Sequence, residues 1–247
     1  MKPFLVALRF LTRFPVTWND STPEQVGRSL LYYPLIGVLM GAALAVAMGL
    51  LGTGPLAAAL VVALWVVLTG LMHMDGLADA ADAWIGGISD RERTLEIMKD
   101  PRCGPAAVAV LILVLLVKYA ALLELAGQGA GAAVLLAPFL GRAALPLLFV
   151  TTPYVRPGGM GSLLAEYLPR QGAWGVVFLA VAGTLLGGLW FGMVGPVLAA
   201  LAGALGVFLA GRAWMRHRIG GTTGDTAGAL VELVETGVLV AVALAVT

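Results

Sequence analysis

Charge is what this sequence has least of. Only 12% of its 247 residues are Asp, Glu, Lys or Arg, about half the share of an ordinary soluble domain. A single cysteine, Cys103, excludes an intramolecular disulfide framework and a thiolate-ligated cluster. With only two histidines, His73 and His217, there is no zinc-type cluster and no serine–histidine–acid pattern. Fifteen basic residues against fourteen acidic ones leave a net charge of +1, so neither nucleic acid nor a basic peripheral membrane patch is expected. A cleavable leader is not expected either. Met1–Val16 is broken by Arg9 and Arg13 and lacks an apolar run followed by a small-residue cleavage site.

What fills the chain instead is apolar: 60% of its residues are hydrophobic. A chain of this kind needs a solvent other than water around much of its surface. About 20 mostly apolar residues cross a bilayer as a helix. Candidate spans are Leu30–Leu51, Pro55–Met74, Pro105–Leu125, Gly131–Thr151, Ala173–Phe191, Val194–Ala210 and Ala227–Thr247. The expected fold is therefore an all-α, polytopic membrane helix bundle of six to seven spans, forming one domain over 1–247. The fifth and sixth spans are joined by a short glycine turn at Gly192. Within residues 1–28, Pro3–Trp18 sets Phe4, Leu5, Leu8 and Leu11 along one side of a helix, with Arg9 and Arg13 elsewhere; that suits an interfacial helix. Basic residues occupy alternate loops, whereas 52–54, 126–130 and 192–193 carry no charge. The positive-inside rule then places the N-terminus and the charged face in the cytoplasm.

Acidic residues are so scarce that their clustering is informative. In the charged loop 75–104, Asp75, Asp79 and Asp82 stand at i, i+4 and i+7, one stripe of a helix. Three like charges on successive turns repel unless a cation lies among them or some are protonated. Oxygen-only ligands favour a hard cation, Mg²⁺ or Mn²⁺, and magnesium is commonly shared with substrate phosphates. The plainer reading is a solvated acidic helix start, favoured by the helix dipole. Further on, Lys99 and Arg102 either grip phosphate or anchor a helix end at headgroup level. The second charged loop, 211–228, contains Gly221, Thr222, Thr223 and Gly224, which resemble an anion-binding turn opening a helix. No lysine follows the glycines, so it is not a Walker A loop. Asp225 suits an N-cap or a further metal ligand. Glu232 and Glu235 fall inside the last span, where ionisable residues are functional candidates by default, although they could snorkel. Arg142 lies near the middle of the fourth span and requires a carboxylate, a carbonyl or a bound anion as partner. Lys118 and Glu124 are poorly spaced to pair with each other, and a structural role is expected of both. Of the two histidines only His73, two residues before Asp75, is a site candidate.

In order along the chain, these motifs resemble one family, the adenosylcobinamide-GDP ribazoletransferases or cobalamin synthases. The resemblance is carried by Leu8-Arg9-Phe10-Leu11-Thr12-Arg13-Phe14-Pro15, Tyr33-Pro34-Leu35-Ile36-Gly37 and, above all, Gly70–Asp82. Met98-Lys99-Asp100, Gly141-Arg142, Tyr154-Val155-Arg156-Pro157 with Gly158–Gly161, and the Gly220–Gly228 loop extend it over essentially the whole chain. One departure is Pro101-Arg102-Cys103-Gly104-Pro105, where the family more usually has Ser-Arg-hydrophobic-Gly-Thr. The resemblance implies a Mg²⁺-dependent transferase in the bacterial cytoplasmic membrane, with its active site facing the cytoplasm. Adenosylcobinamide-GDP and α-ribazole, or its 5′-phosphate, would give adenosylcobalamin or its 5′-phosphate plus GMP. On this reading Asp75, Asp79, Asp82 and Asp225 would hold metal, and Asp82 or His73 would be the base. Lys99, Arg102, Arg142 and Arg156, the Gly221–Gly224 turn, Glu232 and Glu235 would contact substrate or phosphate.

Two other classes compete. A CDP-alcohol phosphotransferase of lipid synthesis also uses an aspartate-rich motif and a divalent metal, but its pattern continues to an Ala-Arg pair. Here Ala78 is followed by Asp79. A transporter could use Arg142, Glu232 and Glu235, yet the acidic groups gather at one face and no internal repeat is evident. Membrane lipid is an expected partner, and the abundant small residues permit homo-oligomers.

Overall fold

Prolines and glycines punctuate the apolar runs, and the helices begin and end at them. A computed structural model describes residues 2–15, 20–88 and 90–247. Its helices are α1 (Lys2–Leu11), α2 (Pro23–Ser29), α3 (Tyr33–Leu51), α4 (Pro55–Thr69), α5 (Met72–Gly86) and α6 (Arg91–Ile97). They continue with α7 (Pro105–Gly127), α8 (Leu136–Thr151), α9 (Gly159–Glu166), α10 (Arg170–Trp190), α11 (Val194–Ile219) and α12 (Gly224–Val246). Helices α2, α4 and α7 each open on a proline, where the missing N–H costs nothing. Among the described residues the only strand-like pairing is one parallel bridge, Tyr154 to Thr222.

Six segments are long and apolar enough to cross a membrane: Pro23–Leu51, Pro105–Gly127, Gly131–Thr151, Arg170–Trp190, Val194–Ile219 and Gly224–Val246. A bent pair, α4 plus α5, makes a seventh candidate. Predicted and observed spans agree in number and order but differ at several ends. The sixth span runs past Ala210 to Ile219, so most of the predicted 211–228 loop is helix and only Gly220–Thr223 lies between α11 and α12. The 75–104 loop likewise contains α5 and α6. The N-terminal helix stops at Leu11; the Val16–Trp18 end of the predicted interfacial segment lies outside the described residues. Rather than lying free on a surface, α1 buries Val6, Ala7 and Leu11 in the main core.

The largest difference is at the second predicted span, Pro55–Met74. Gly70 and Leu71 both adopt left-handed backbone angles (φ 60° and 67°), and α5 leaves α4 at 91°. Leu71 is the only non-glycine with positive φ among the described residues, an unfavourable state for a side chain with a Cβ. At 15 residues, α4 reaches about 22 Å, short of a roughly 30 Å hydrocarbon core. Helix α5 therefore departs from the line of α4 and carries its C-terminal half to the bundle end, where Asp82 meets the start of α7 and Trp84 meets Arg218.

Small residues bring the helices close. Gly37 and Gly41, one turn apart on α3, face the backbone of Pro138 in α8 and of Leu135 just before it, a small-xxx-small contact. Gly76 on α5 faces the backbone of Asp225, and Gly228 on α12 faces that of His73. A Cβ at Gly76 would come within 2.7 Å of the Asp225 carbonyl oxygen and 3.0 Å of its Cα. Neither atom can move aside without shifting α12. Gly76→Ala is therefore expected to destabilise the protein by about 1–3 kcal/mol, read as a lower thermal midpoint in detergent, with reduced activity because the acidic helix shifts with it.

Exposed apolar side chains such as Leu50, Leu56, Phe178, Leu179, Trp190 and Phe191 cover the outside of the bundle. In lipid this surface needs no cover. Helix α8 is the central one, burying Leu140 through Pro146 without interruption.

Candidate active site at the acidic helix

The charge-bearing loops meet at one end of the bundle, tied together largely by arginines that bind helix C-terminal carbonyls. Arg170 donates to Val150 O (2.7 Å) and Arg212 to Thr151 O (2.6 Å), so both cap α8. Arg218 donates to Trp84 O (3.0 Å) near the end of α5 and to Thr94 Oγ1 (3.1 Å) in α6. Cations there complement the helix dipole and satisfy free carbonyls. On this frame lies α5, with its three aspartates.

The stripe is formed, but its members differ. Asp75 is exposed, while Asp79 and Asp82 are partly buried. Asp82 serves as a remote N-cap for α7: Gly104 N donates to Oδ2 (2.6 Å) and Ala107 N to Oδ1 (3.0 Å). The cap of α7 is a glycine with no side chain to offer, so Asp82 satisfies amides that would otherwise lack partners. Both of its oxygens are engaged, unlike the free carboxylate expected of a base. Asp79 faces Asp75 and Asp225. Its partial burial, followed by the charges of those two carboxylates, raises it to about 6, against a smaller opposing pull from Arg156.

Asp225 comes to this group from the first turn of α12, where Thr223, not Asp225, is the N-cap. Arg156 pairs with Asp225 (2.7 Å) and donates to Met98 O (3.2 Å), so it joins the 152–158 loop to α12 and the end of α6. Among the described residues no three His, Cys, Asp or Glu side chains converge to enclose a metal ion. A closed all-protein cage is thus not built here. The donor set suits magnesium in its usual form, in which one or two carboxylates share the ion with waters and substrate phosphates.

The glycine–threonine turn is built differently from an open anion cradle. Thr222 and Thr223 are fully buried. Thr222 N donates to Pro153 O (2.8 Å), and Val155 N to Thr222 O (2.9 Å). Thr223 N donates to Thr226 Oγ1 (2.9 Å), one arm of a capping box. Gly221 is pressed on Pro153 O, with no room for a Cβ. The amides of Thr222 and Thr223 are therefore occupied by protein acceptors, and the motif's evident work is to seat Arg156 and Asp225.

Lys99 is exposed beyond α6. Arg102 is exposed as well and grips Asp100 (2.5 Å); that hydrogen-bonded guanidinium holds the Asp100 carboxyl down at about 2. Both cations lie near the Asp82 end of the stripe, since Gly104, bound to Asp82, is two residues from Arg102.

Arg142, Glu232 and Glu235, expected to contact substrate, instead form a sealed network with Lys118. Arg142 is fully buried and paired with Glu235. Lys118 Nζ lies 2.6 Å from Glu232 and 2.5 Å from Glu235, and 4.4 Å from the centre of the Trp65 ring. Two cations and two anions cancel, which is how charges persist in an apolar interior. Glu235 lies about 16 Å along α12 from its start. His73 belongs to this network, not to the acidic stripe. It is buried, and its Nδ1 is 3.3 Å from Arg142 Nη2. A guanidinium can only donate, so Nδ1 is the acceptor and the proton resides on Nε2. Sequence spacing could not show these partners: Lys118 and Glu235 are 117 positions apart.

Comparison with known proteins agrees with the motifs. The family described as cobalamin-5-phosphate synthase matches residues 3–243. The chain belongs to this family. An adenosylcobinamide-GDP ribazoletransferase of Pseudomonas putida strain F1 is 56% identical over 99% of this chain and 99% of its own length. Proteins of the same name from Pseudomonas aeruginosa strain UCBPP-PA14 (56% identical, 99% of this chain, 98% of theirs) and Pseudomonas entomophila strain L48 (55%, 100% of both) are similar throughout. No solved structure matches. This cobalamin synthase family member is thus an enzyme, a transferase of cobalamin biosynthesis embedded in a membrane by six or seven spans.

Proposed function

We propose that the protein joins adenosylcobinamide-GDP to α-ribazole, or to its 5′-phosphate, releasing GMP, at the face of the cytoplasmic membrane where α5 lies. The observation that carries this reading is the group formed by Asp75, Asp79 and Asp225 beside Arg156, where carboxylates crowd without enough bases to neutralise them. Such a group suits a divalent cation brought with a diphosphate, and phosphoryl transfer depends mainly on positioning and charge neutralisation.

One or two of Asp75, Asp79 and Asp225 would hold Mg²⁺, which when bound would neutralise the diphosphate. Arg156, with Lys99 and Arg102 toward the other end of α5, would balance the remaining phosphate charge. Asp79, raised to about 6 without a cation, would be held ionised once Mg²⁺ is bound, and the proton of the attacking ribose hydroxyl would leave to water. The new bond forms from that oxygen to the phosphorus next to cobinamide; the bond to the GMP oxygen breaks. Asp82 keeps α7 in place beside the stripe, and His73 fixes α5 to the buried network. The basic residues gathered on this side support a cytoplasmic orientation for it and for the N-terminus.

The direct test is GMP release by purified protein supplied with adenosylcobinamide-GDP and α-ribazole. Release that requires both substrates and stops with EDTA, returning with Mg²⁺, is expected. No release in any combination, or release indifferent to chelation, would remove the assignment.

A further inference from the structure

The elbow between α4 and α5 opens a cleft that the acidic stripe does not account for. It measures about 450 Å³ and is lined by Arg9, Thr12, Arg13, Thr69, Leu71 and Asp75 among others. Arg13 crosses the elbow, its guanidinium donating to Gly70 O (3.1 Å) and its backbone N to Leu68 O (3.0 Å). Its side chain lies where a Cβ on residue 70 would be. The strained Leu71 (φ 67°) forms part of the same wall. Strain at one non-glycine residue persists only when surrounding structure enforces it, and such residues gather at ligand sites.

Thr12 and Arg13 also line a second space of about 500 Å³, walled by Leu8, Ile36, Leu39, Met40 and Leu68. The two spaces are thus neighbours. Together they offer two cations, a carboxylate at the α5 end and an apolar groove alongside. A ligand that matches all three has an anionic group, hydroxyls and a flat apolar body. Each space has the size of a small-molecule pocket, whereas a corrinoid nucleotide is far larger than either.

We propose that this cleft seats the nucleophile as a nucleoside monophosphate, its phosphate on Arg9 and Arg13, its ribose toward Asp75 and its aromatic base in the groove between α1 and α3. The inference rests on the reaction proposed above and adds where the attacking substrate binds. It directs the ribose hydroxyl to the end of the acidic stripe, where attack is required.

Full-length protein in lipid nanodiscs would be assayed for GMP release with α-ribazole 5′-phosphate and, separately, with α-ribazole. The readout is the ratio of the two KM values, in which general damage to the fold cancels. Removing one charge-assisted contact in Arg13→Gln or Arg9→Gln is expected to raise the KM of the phosphorylated form relative to the other by roughly tenfold or more. Arg13→Lys should recover much of that change. An unaltered ratio in both glutamine variants overturns the inference while leaving the reaction intact. So does a KM change shared equally by both nucleophiles that follows the anionic lipid content of the nanodisc, which assigns the arginines to headgroup phosphates. If the wild type releases no GMP, the reaction fails and the inference with it.

Discussion

Arg142→Ala is expected to lose about 3–5 kcal/mol of stability, enough to leave little folded protein when a typical domain has only about 5–15 kcal/mol in total. The cost comes mainly from what remains. Glu235 would keep its charge inside the bundle with Lys118 shared between it and Glu232, in a region where no water can reach it readily. The expected result is poor membrane yield and a lowered thermal midpoint in mild detergent. Charge deletion in pairs separates this cause from lost packing. Arg142→Met combined with Glu235→Leu removes one charge of each sign and should be more stable than either single substitution, because no orphan is left. Additive losses in that double-mutant cycle would show that the pair contributes no coupling.

Asp79→Asn should act in the opposite sense on stability while removing function. A bound divalent cation supplies several kcal/mol of transition-state charge stabilisation, so loss of a carboxylate beside it is expected to lower turnover by roughly 10²-fold. Thermal stability of the chelated protein should rise at neutral pH. Asp79 is raised from 3.8 to about 6 in the folded chain, so the native state holds the proton more tightly than the unfolded state. Its contribution is most favourable below about 3.8, declines as pH rises through about 6, and is fully unfavourable above that. Asparagine, neutral at every pH, removes the penalty and flattens this part of the pH profile. Mg²⁺ should stabilise the wild type at pH 7.5 and the variant less. A variant that is less stable than wild type in EDTA at pH 7.5 would show that Asp79 is held by favourable contacts instead.

Much of the architecture was legible because the bilayer imposes a length on apolar runs. Span order, the short turn at Gly192 and the gathering of charge at one end all follow from hydropathy and loop composition. The stripe of Asp75, Asp79 and Asp82 follows from helical spacing alone. What periodicity could not show is which of the three is free. Asp82 and Asp79 differ because Gly104 and Ala107 offer amides to one, while Asp75 and Asp225 crowd the other. The Pro55–Met74 run reads as a continuous span because its hydropathy is unbroken to Met74; the turn at Gly70–Leu71 is a backbone conformation, invisible to an apolar count. Arg142, Glu232 and Glu235 were recognised as needing an explanation. Their partners in the structure are one another and Lys118.

By itself the sequence determined that the chain is a multi-pass membrane protein of six or seven candidate spans, and that its scarce acidic residues gather on one short helix. Those conclusions depend on local quantities: residue type, spacing along one helix and the distribution of charge among loops. Tertiary structure decided the roles within that outline, making Asp82 a cap, His73 an anchor and Arg142 a member of a sealed network, and opening a cleft beside Arg9 and Arg13. Each of these depends on a partner distant along the chain, 22 positions away for Asp82 and Gly104 and 69 for His73 and Arg142. In an interior that cannot solvate charge, the identity of that partner decides what an ionisable side chain does.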